Sequence, residues 1–192
     1  LEELKEIRRV CDKYGMYLFV DGARMGYGLG SEANDVSLRD FGQLADVFYL
    51  GGTKCGALFG EAVVLLADSL KHRFKTYMKQ NGAVLAKGWL LGLQFYALLE
   101  NGEYFKITAR ADKLAMRLKE AFAEKGIPSA VDSPTNQQFV ILTPLQEEKL
   151  AEKYIFEGMG TLEDGRKKVR FCTSWSTTED EIDALIADIQ VL

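Results

Sequence analysis

Histidine occurs once in the 192 residues, as His72, and cysteine and proline only three times each. A single histidine removes the paired-histidine zinc hydrolases and makes any Ser-His-Asp triad depend on one side chain. Cys11, Cys55 and Cys172 are odd in number, scattered and outside any CxxC spacing, so no disulfide framework or cysteine-rich zinc site is expected. A reducing, cytoplasmic setting fits that usage. Long apolar runs are also missing. Val63–Ala67 is short and Trp89–Leu99 is interrupted by Gly92 and Gln94, well below the ~20 residues of a membrane span, so no membrane partner is expected. Positive charge does not dominate either. Lys and Arg total 24 against 28 Asp and Glu, for a net charge of -4 without a long basic run, which argues against nucleic acid as a partner.

What is present is an ordinary globular composition, 47% hydrophobic and 27% charged, which excludes disordered and fibrous classes. The chain opens at Leu1 directly in helical periodicity and is expected to be the later part of a longer protein. Leu1, Leu4, Ile7, Val10, Cys11 and Tyr14 recur at three- and four-residue steps, with Gly15 as C-cap, and predict an amphipathic helix. MYLFV (16–20) is a continuous apolar run, as expected of a parallel strand buried on both faces. A Gly-rich stretch and a short helical segment lead to ADVFYL (45–50), a second buried strand, and GEAVVLLA (60–67) reads as a third. This alternation is that of an open α/β sheet, whose ligands bind beyond the carboxyl ends of its strands. After residue 70 the period becomes helical, with two long helices broken near Asn101 and Gly102. Strand QFVILT (138–143), a helix over 146–154, strand KVRFCT (168–173) and a last helix with a Thr178/Glu181 capping box complete a small α+β region.

Asp21 follows the first strand immediately and Lys54 the second within four residues. Adjacent parallel strands lie only ~5 Å apart, so the two side chains could meet one aromatic ring. The plainer alternative is that Asp21 caps a helix and Lys54 is a solvated loop cation. The glycines of GGTKCG favour chemistry, because they let backbone approach a ligand and free the lysine stem. A desolvated lysine can lose its proton and attack a carbonyl, forming a Schiff base. An ionised aspartate opposite it suits the ring nitrogen of pyridoxal phosphate, since a protonated ring is the better electron sink. Arg170 lies inside an otherwise apolar strand, where a guanidinium calls for a planar anion such as an amino-acid carboxylate; a structural ion pair is the alternative. GYGLG (26–30) lacks the GxGxxG register and reads as a loop, His72 as a surface residue, and Cys55 as a small packing residue.

VDGAR (20–24), GGTKCGALFGEAVVLL (51–66), AKGWLLGLQF (86–95), SPTNQQF (133–139) and VRFCTSW (169–175) stand in the order and at about the spacing found in the threonine aldolases. The chain resembles that family, which belongs to the fold-type-I pyridoxal phosphate enzymes among the aromatic amino acid β-eliminating lyases. The resemblance covers essentially the whole chain, and DGAR together with TKxG is its specific part. It implies an α/β fold with residues 1–85 as the remainder of a mostly parallel, cofactor-binding large domain. Residues 86–126 would be long connecting helices and 127–192 a small α+β C-terminal domain. It implies pyridoxal 5'-phosphate as cofactor, with Lys54 bonded to it, Asp21 on the pyridine nitrogen, Arg24 near the phenolic oxygen or substrate carboxylate, and Thr53 as a further contact. Arg170 would clamp the substrate carboxylate, as would Arg24 in its alternative role. No metal is implied.

The implied activity is cleavage of L-threonine or L-allo-threonine to glycine and acetaldehyde by a homo-oligomer, a dimer or tetramer with shared active sites. Two departures qualify the match. Ser174 follows Thr173 where many members carry a histidine, and the ring-stacking histidine and Gly-rich phosphate turn of the family belong to a part this sequence lacks. An aminotransferase, another β-eliminating lyase, or a catalytically silent chain of the same fold are the alternatives, because Lys, Asp and Arg serve all of these enzymes alike.

Overall fold

The computed structural model describes residues 1–192, which divide into two compact units. The first comprises Leu1–Leu29 and Asn34–Lys106, the second Gly30–Ala33 and Ile107–Leu192.

The first unit opens with α1 (Glu2–Lys13), closed by Gly15 at φ +63°, a left-handed conformation glycine adopts without steric cost. There follow β1 (Phe19–Val20), α2 (Met25–Gly30), α3 (Leu38–Leu44), β2 (Val47–Gly51) and β3 (Glu61–Leu65). Helices α4 (Asp68–Lys71), α5 (Phe74–Gln80) and α6 (Trp89–Glu100) come next, then α7 (Glu103–Glu124), which the unit boundary crosses. The sheet order is β1-β2-β3. β1 pairs parallel to β2, with Phe19 opposite Val47 and Val20 opposite Phe48, and β2 pairs antiparallel to β3, with Tyr49 opposite Val63. The two parallel strands therefore deliver their carboxyl ends, Asp21 and the loop after Gly51, to the same edge of the sheet.

Several expectations are corrected. MYLFV is not a strand buried on both faces. Only Phe19 and Val20 pair, and Met16, Tyr17 and Phe19 are exposed, because β1 has a single neighbour and its outer side is left uncovered. GYGLG is not a loop but most of α2: Tyr27 is 1% exposed and its hydroxyl donates to the Lys54 carbonyl, so burial and a tertiary hydrogen bond override three glycines. ADVFYL behaves as read, with Val47, Phe48 and Leu50 buried. The break at Asn101–Gly102 is where α6 ends and α7 begins, Gly102 having φ +69°.

The second unit carries most of α7, then β4 (Ser129–Val131), β5 (Gln137–Leu142), α8 (Pro144–Ala151), β6 (Glu157–Thr161), β7 (Lys167–Cys172) and α9 (Glu179–Gln190). Its sheet runs β4-β5-β7-β6 and is antiparallel throughout. Strict alternation on β5 buries Gln138, Val140 and Leu142, and on β7 Val169 and Phe171. These residues pack with Leu114, Leu118 and Phe122 of α7, Leu150 of α8, and Ile182, Leu185 and Ile189 of α9 into one core. The Thr178/Glu181 capping box is formed as its spacing predicts. No helix is long and apolar enough to cross a membrane.

Candidate active site

The loop between β2 and β3 is fixed from below by backbone contact. The Gly51 N–H donates to the Gly22 carbonyl at 2.8 Å, and a Cβ added at Gly51 would lie 2.2 Å from the Ala23 oxygen. A Cβ at Gly22 would in turn fall 1.6 Å from the Tyr49 oxygen, so DG and GG are glycines because two backbones touch there. Buried Tyr104, at the start of α7, accepts from the Gly26 N–H at 3.2 Å and donates to the Gly51 carbonyl at 3.0 Å. Its hydroxyl also bonds the Cys55 thiol, and burial pushes both groups' pKa values upward. Cys55 is fully buried, which supports its reading as a packing residue. The Gly52 N–H is taken by Glu61 Oε2 at 2.6 Å.

On this platform Asp21 and Lys54 both stand exposed. The expectation of a desolvated Lys54 is thus corrected: the loop lies at the surface and nothing in the chain covers the amine. Asp21 Oδ1 accepts the Tyr49 hydroxyl and, at 3.1 Å, the Ala23 N–H, an Asx-type turn. The Tyr49 hydrogen bond chiefly, then the Ala23 N–H, then the charges of Lys54 and Arg24, hold the Asp21 carboxyl below its ordinary range. Tyr49 is pushed up to about 12 by that same bond and remains a donor. Neither Lys54 nor half-buried Arg24 spends its cation on an ion pair, and Thr53 is exposed beside them.

The site residues thus gather as one set of four, Asp21, Arg24, Thr53 and Lys54, in the first unit. Arg170 belongs to the second unit, where it makes the ion pair that was the alternative reading. It sits on β7 between Glu157 of β6 and Gln137 of β5, ion-paired to the Glu157 carboxylate and donating to Gln137 Oε1 at 3.0 Å. Its Nε is buried without a partner. Thr135 and Asn136 form the turn before β5, where the Asn136 amide donates to the Thr173 carbonyl at 2.8 Å. Lys79, Lys87 and His72 are exposed. Sequence reading missed Tyr49 and Tyr27, although a phenol in the apolar run ADVFYL is a signal that it faces something polar.

Comparison with known proteins decides the family. The model of the family described as Beta-eliminating lyase matches residues 1–144. The chain belongs to the β-eliminating lyase family. Among relatives, this β-eliminating lyase chain is 30% identical to the low specificity L-threonine aldolase of a Pseudomonas species and 28% identical to that of Pseudomonas aeruginosa. Each alignment takes in 100% of the chain and 55% of the relative, so the chain spans about half the length of the curated relatives it matches. The solved threonine aldolase of Leishmania major superposes with a TM-score of 0.97 at 39% identity, over 99% of this chain and 56% of that one. Lysine aminotransferase of M. tuberculosis, at 19% identity and a TM-score of 0.57, shares the fold over 99% of this chain and 44% of its own. The fold is that of the fold-type-I pyridoxal phosphate enzymes, represented over about half its extent.

The residues present fit that cofactor. A carboxylate held ionised, an amine without an ion pair and an uncommitted guanidinium share one sheet edge, which is the donor set that a cationic ring nitrogen, an aldehyde and an anionic oxygen require.

Proposed function

We propose that this chain carries the lysine side of a pyridoxal 5'-phosphate-dependent lyase that cleaves L-threonine or L-allo-threonine to glycine and acetaldehyde, a retro-aldol cleavage of the Cα–Cβ bond. The observation that carries the reading is the meeting, at the carboxyl ends of the parallel pair β1 and β2, of Asp21 with Arg24 three residues on and Lys54 beyond β2, the two cations acting on the Asp21 carboxylate. The similarity to threonine aldolases supports the choice of substrate.

In this reading Lys54 holds the cofactor covalently, Asp21 faces its ring nitrogen, and Thr53 touches it. Arg24 neutralises the phenolic oxygen or the substrate carboxylate. When bound, pyridoxal phosphate supplies the electron sink that accepts the bonding pair released at Cα. Asp21 contributes by staying ionised, so that it accepts rather than donates at the ring nitrogen. Lys54, with no ion pair to break, is free to give and take a proton at Nζ. Arg170 binds the substrate carboxylate through its planar fork, exchanging the Glu157 oxygens for those of the amino acid. Residues 1–85 serve as the cofactor-binding part, 86–126 as connecting helices and 127–192 as the small domain. The same proposal makes the enzyme a cytoplasmic homo-oligomer, dimer or tetramer.

Product analysis tests the reading. The intact enzyme with pyridoxal phosphate and L-threonine should release glycine and acetaldehyde in equal amounts. Ammonia with a 2-oxo acid would make it an eliminating lyase instead, and amino transfer to an added 2-oxo acid an aminotransferase.

A further inference from the structure

Asp21 could have faced solvent in any rotamer, yet one of its oxygens is fully committed. Oδ1 takes both donors that the fold offers, the Tyr49 hydroxyl and the Ala23 N–H, while Oδ2 has none. Tyr49 cannot drift from this duty. Its backbone carbonyl abuts Gly22, the residue after Asp21, at a distance that no side chain could share. Its ring leans on Phe19, two residues before Asp21 on β1, with centroids 6.1 Å apart and planes at 41°. Backbone and ring together therefore aim the phenol at a single carboxylate oxygen.

We propose that Tyr49 is a positioning residue for Asp21: by occupying Oδ1 it turns Oδ2 out as the one acceptor offered to a protonated aromatic nitrogen. This rests on the reading that Asp21 meets the ring nitrogen of the cofactor, and it adds how the carboxylate is aimed. A neighbouring donor that fixes one lone pair of a charged acceptor acts on its orientation and its proton affinity together. The other charges near the pair are Lys54 and Arg24 beside Asp21 and Glu61 on β3 beside Tyr49. Glu61 is occupied by the Gly52 N–H and does not compete for the phenol.

The test is Tyr49→Phe, which keeps the ring on Phe19 and removes only the hydroxyl. In the cofactor-free intact protein, carboxyl-13C NMR of labelled aspartate, assigned with Asp21→Asn, should show the Asp21 titration moving up relative to wild type. In the cofactor-loaded enzyme, kcat should fall about tenfold, as for loss of one hydrogen bond to a charged group, with KM for threonine within twofold. An unmoved Asp21 titration overturns the proposal while leaving Asp21's own role intact, and a fall in melting temperature that carries kcat and KM down together overturns it in favour of a structural role. Wild-type turnover and cofactor affinity in Asp21→Asn would instead refute the underlying reading of Asp21.

Discussion

Asp112, on α7, is a buried acid whose carboxylate the fold leaves without partners. It is 3% exposed, and neither carboxylate oxygen has a hydrogen-bond partner. The Asn136 backbone N–H favours its charged form but falls short of hydrogen-bond geometry. Burial raises the acid from 3.8 to about 7. A group whose pKa is raised by folding stabilises the native state fully below its unfolded value and loses that contribution as pH rises through the folded one. The window is therefore pH 4 to 7. At about 1.4 kcal/mol per pH unit, the full effect is on the order of 4 kcal/mol, a large share of a typical 5–15 kcal/mol stability. Asp112→Asn keeps the shape and removes the charge. Urea denaturation of both proteins at half-unit steps should give nearly equal stabilities below about pH 4. From there the variant should gain steadily, with a plateau a few kcal/mol above wild type by pH 8. Stability differences that do not change with pH, or a variant that loses ground as pH rises, would refute the assignment of Asp112 as a buried acid without partners.

The remaining expectations concern the site. Asp21→Asn should lower turnover by orders of magnitude with the melting temperature nearly unchanged, because its hydrogen bonds lie at the surface; near-normal turnover would reduce Asp21 to a turn residue. Arg170→Lys keeps the charge but loses the fork, and should raise KM for threonine strongly while cofactor absorbance stays near wild type. Loss of stability without a change in KM would instead mark the Glu157–Arg170–Gln137 cluster as structural. Gly51→Ala, which would press a methyl onto the Ala23 carbonyl, should lower both the melting temperature and cofactor binding, read by thermal denaturation and absorbance titration.

Elements whose burial follows a clean period were legible in advance. β5, β7 and α9 alternate or stripe apolar residues against one core, and the Thr178 box marks a helix start by hydrogen-bond chemistry alone. β4 and β6 were missed because three residues, or a fully exposed EGMGT with two glycines, leave no periodic signal. α2 was missed for a different reason: Tyr27 stabilises it through the Lys54 carbonyl, a partner 27 residues away that no local rule contains. The site followed the same division. Asp21 and Lys54 stand at strand ends, a position that sequence order shows, whereas the Tyr49 bond to Asp21 depends on the register of β1 against β2. Arg170 stands on the face of β7 opposite buried Val169 and Phe171, but its partner Glu157 comes from β6, the strand that composition hides.

The central claim, that Lys54 is the residue bonded to pyridoxal phosphate, is tested most directly by borohydride reduction of the intact, cofactor-loaded enzyme followed by peptide mapping. The visible absorbance band should bleach, and the reduced cofactor should be recovered on the peptide containing Lys54. Label on any other lysine, or a band that borohydride leaves intact, would contradict the account.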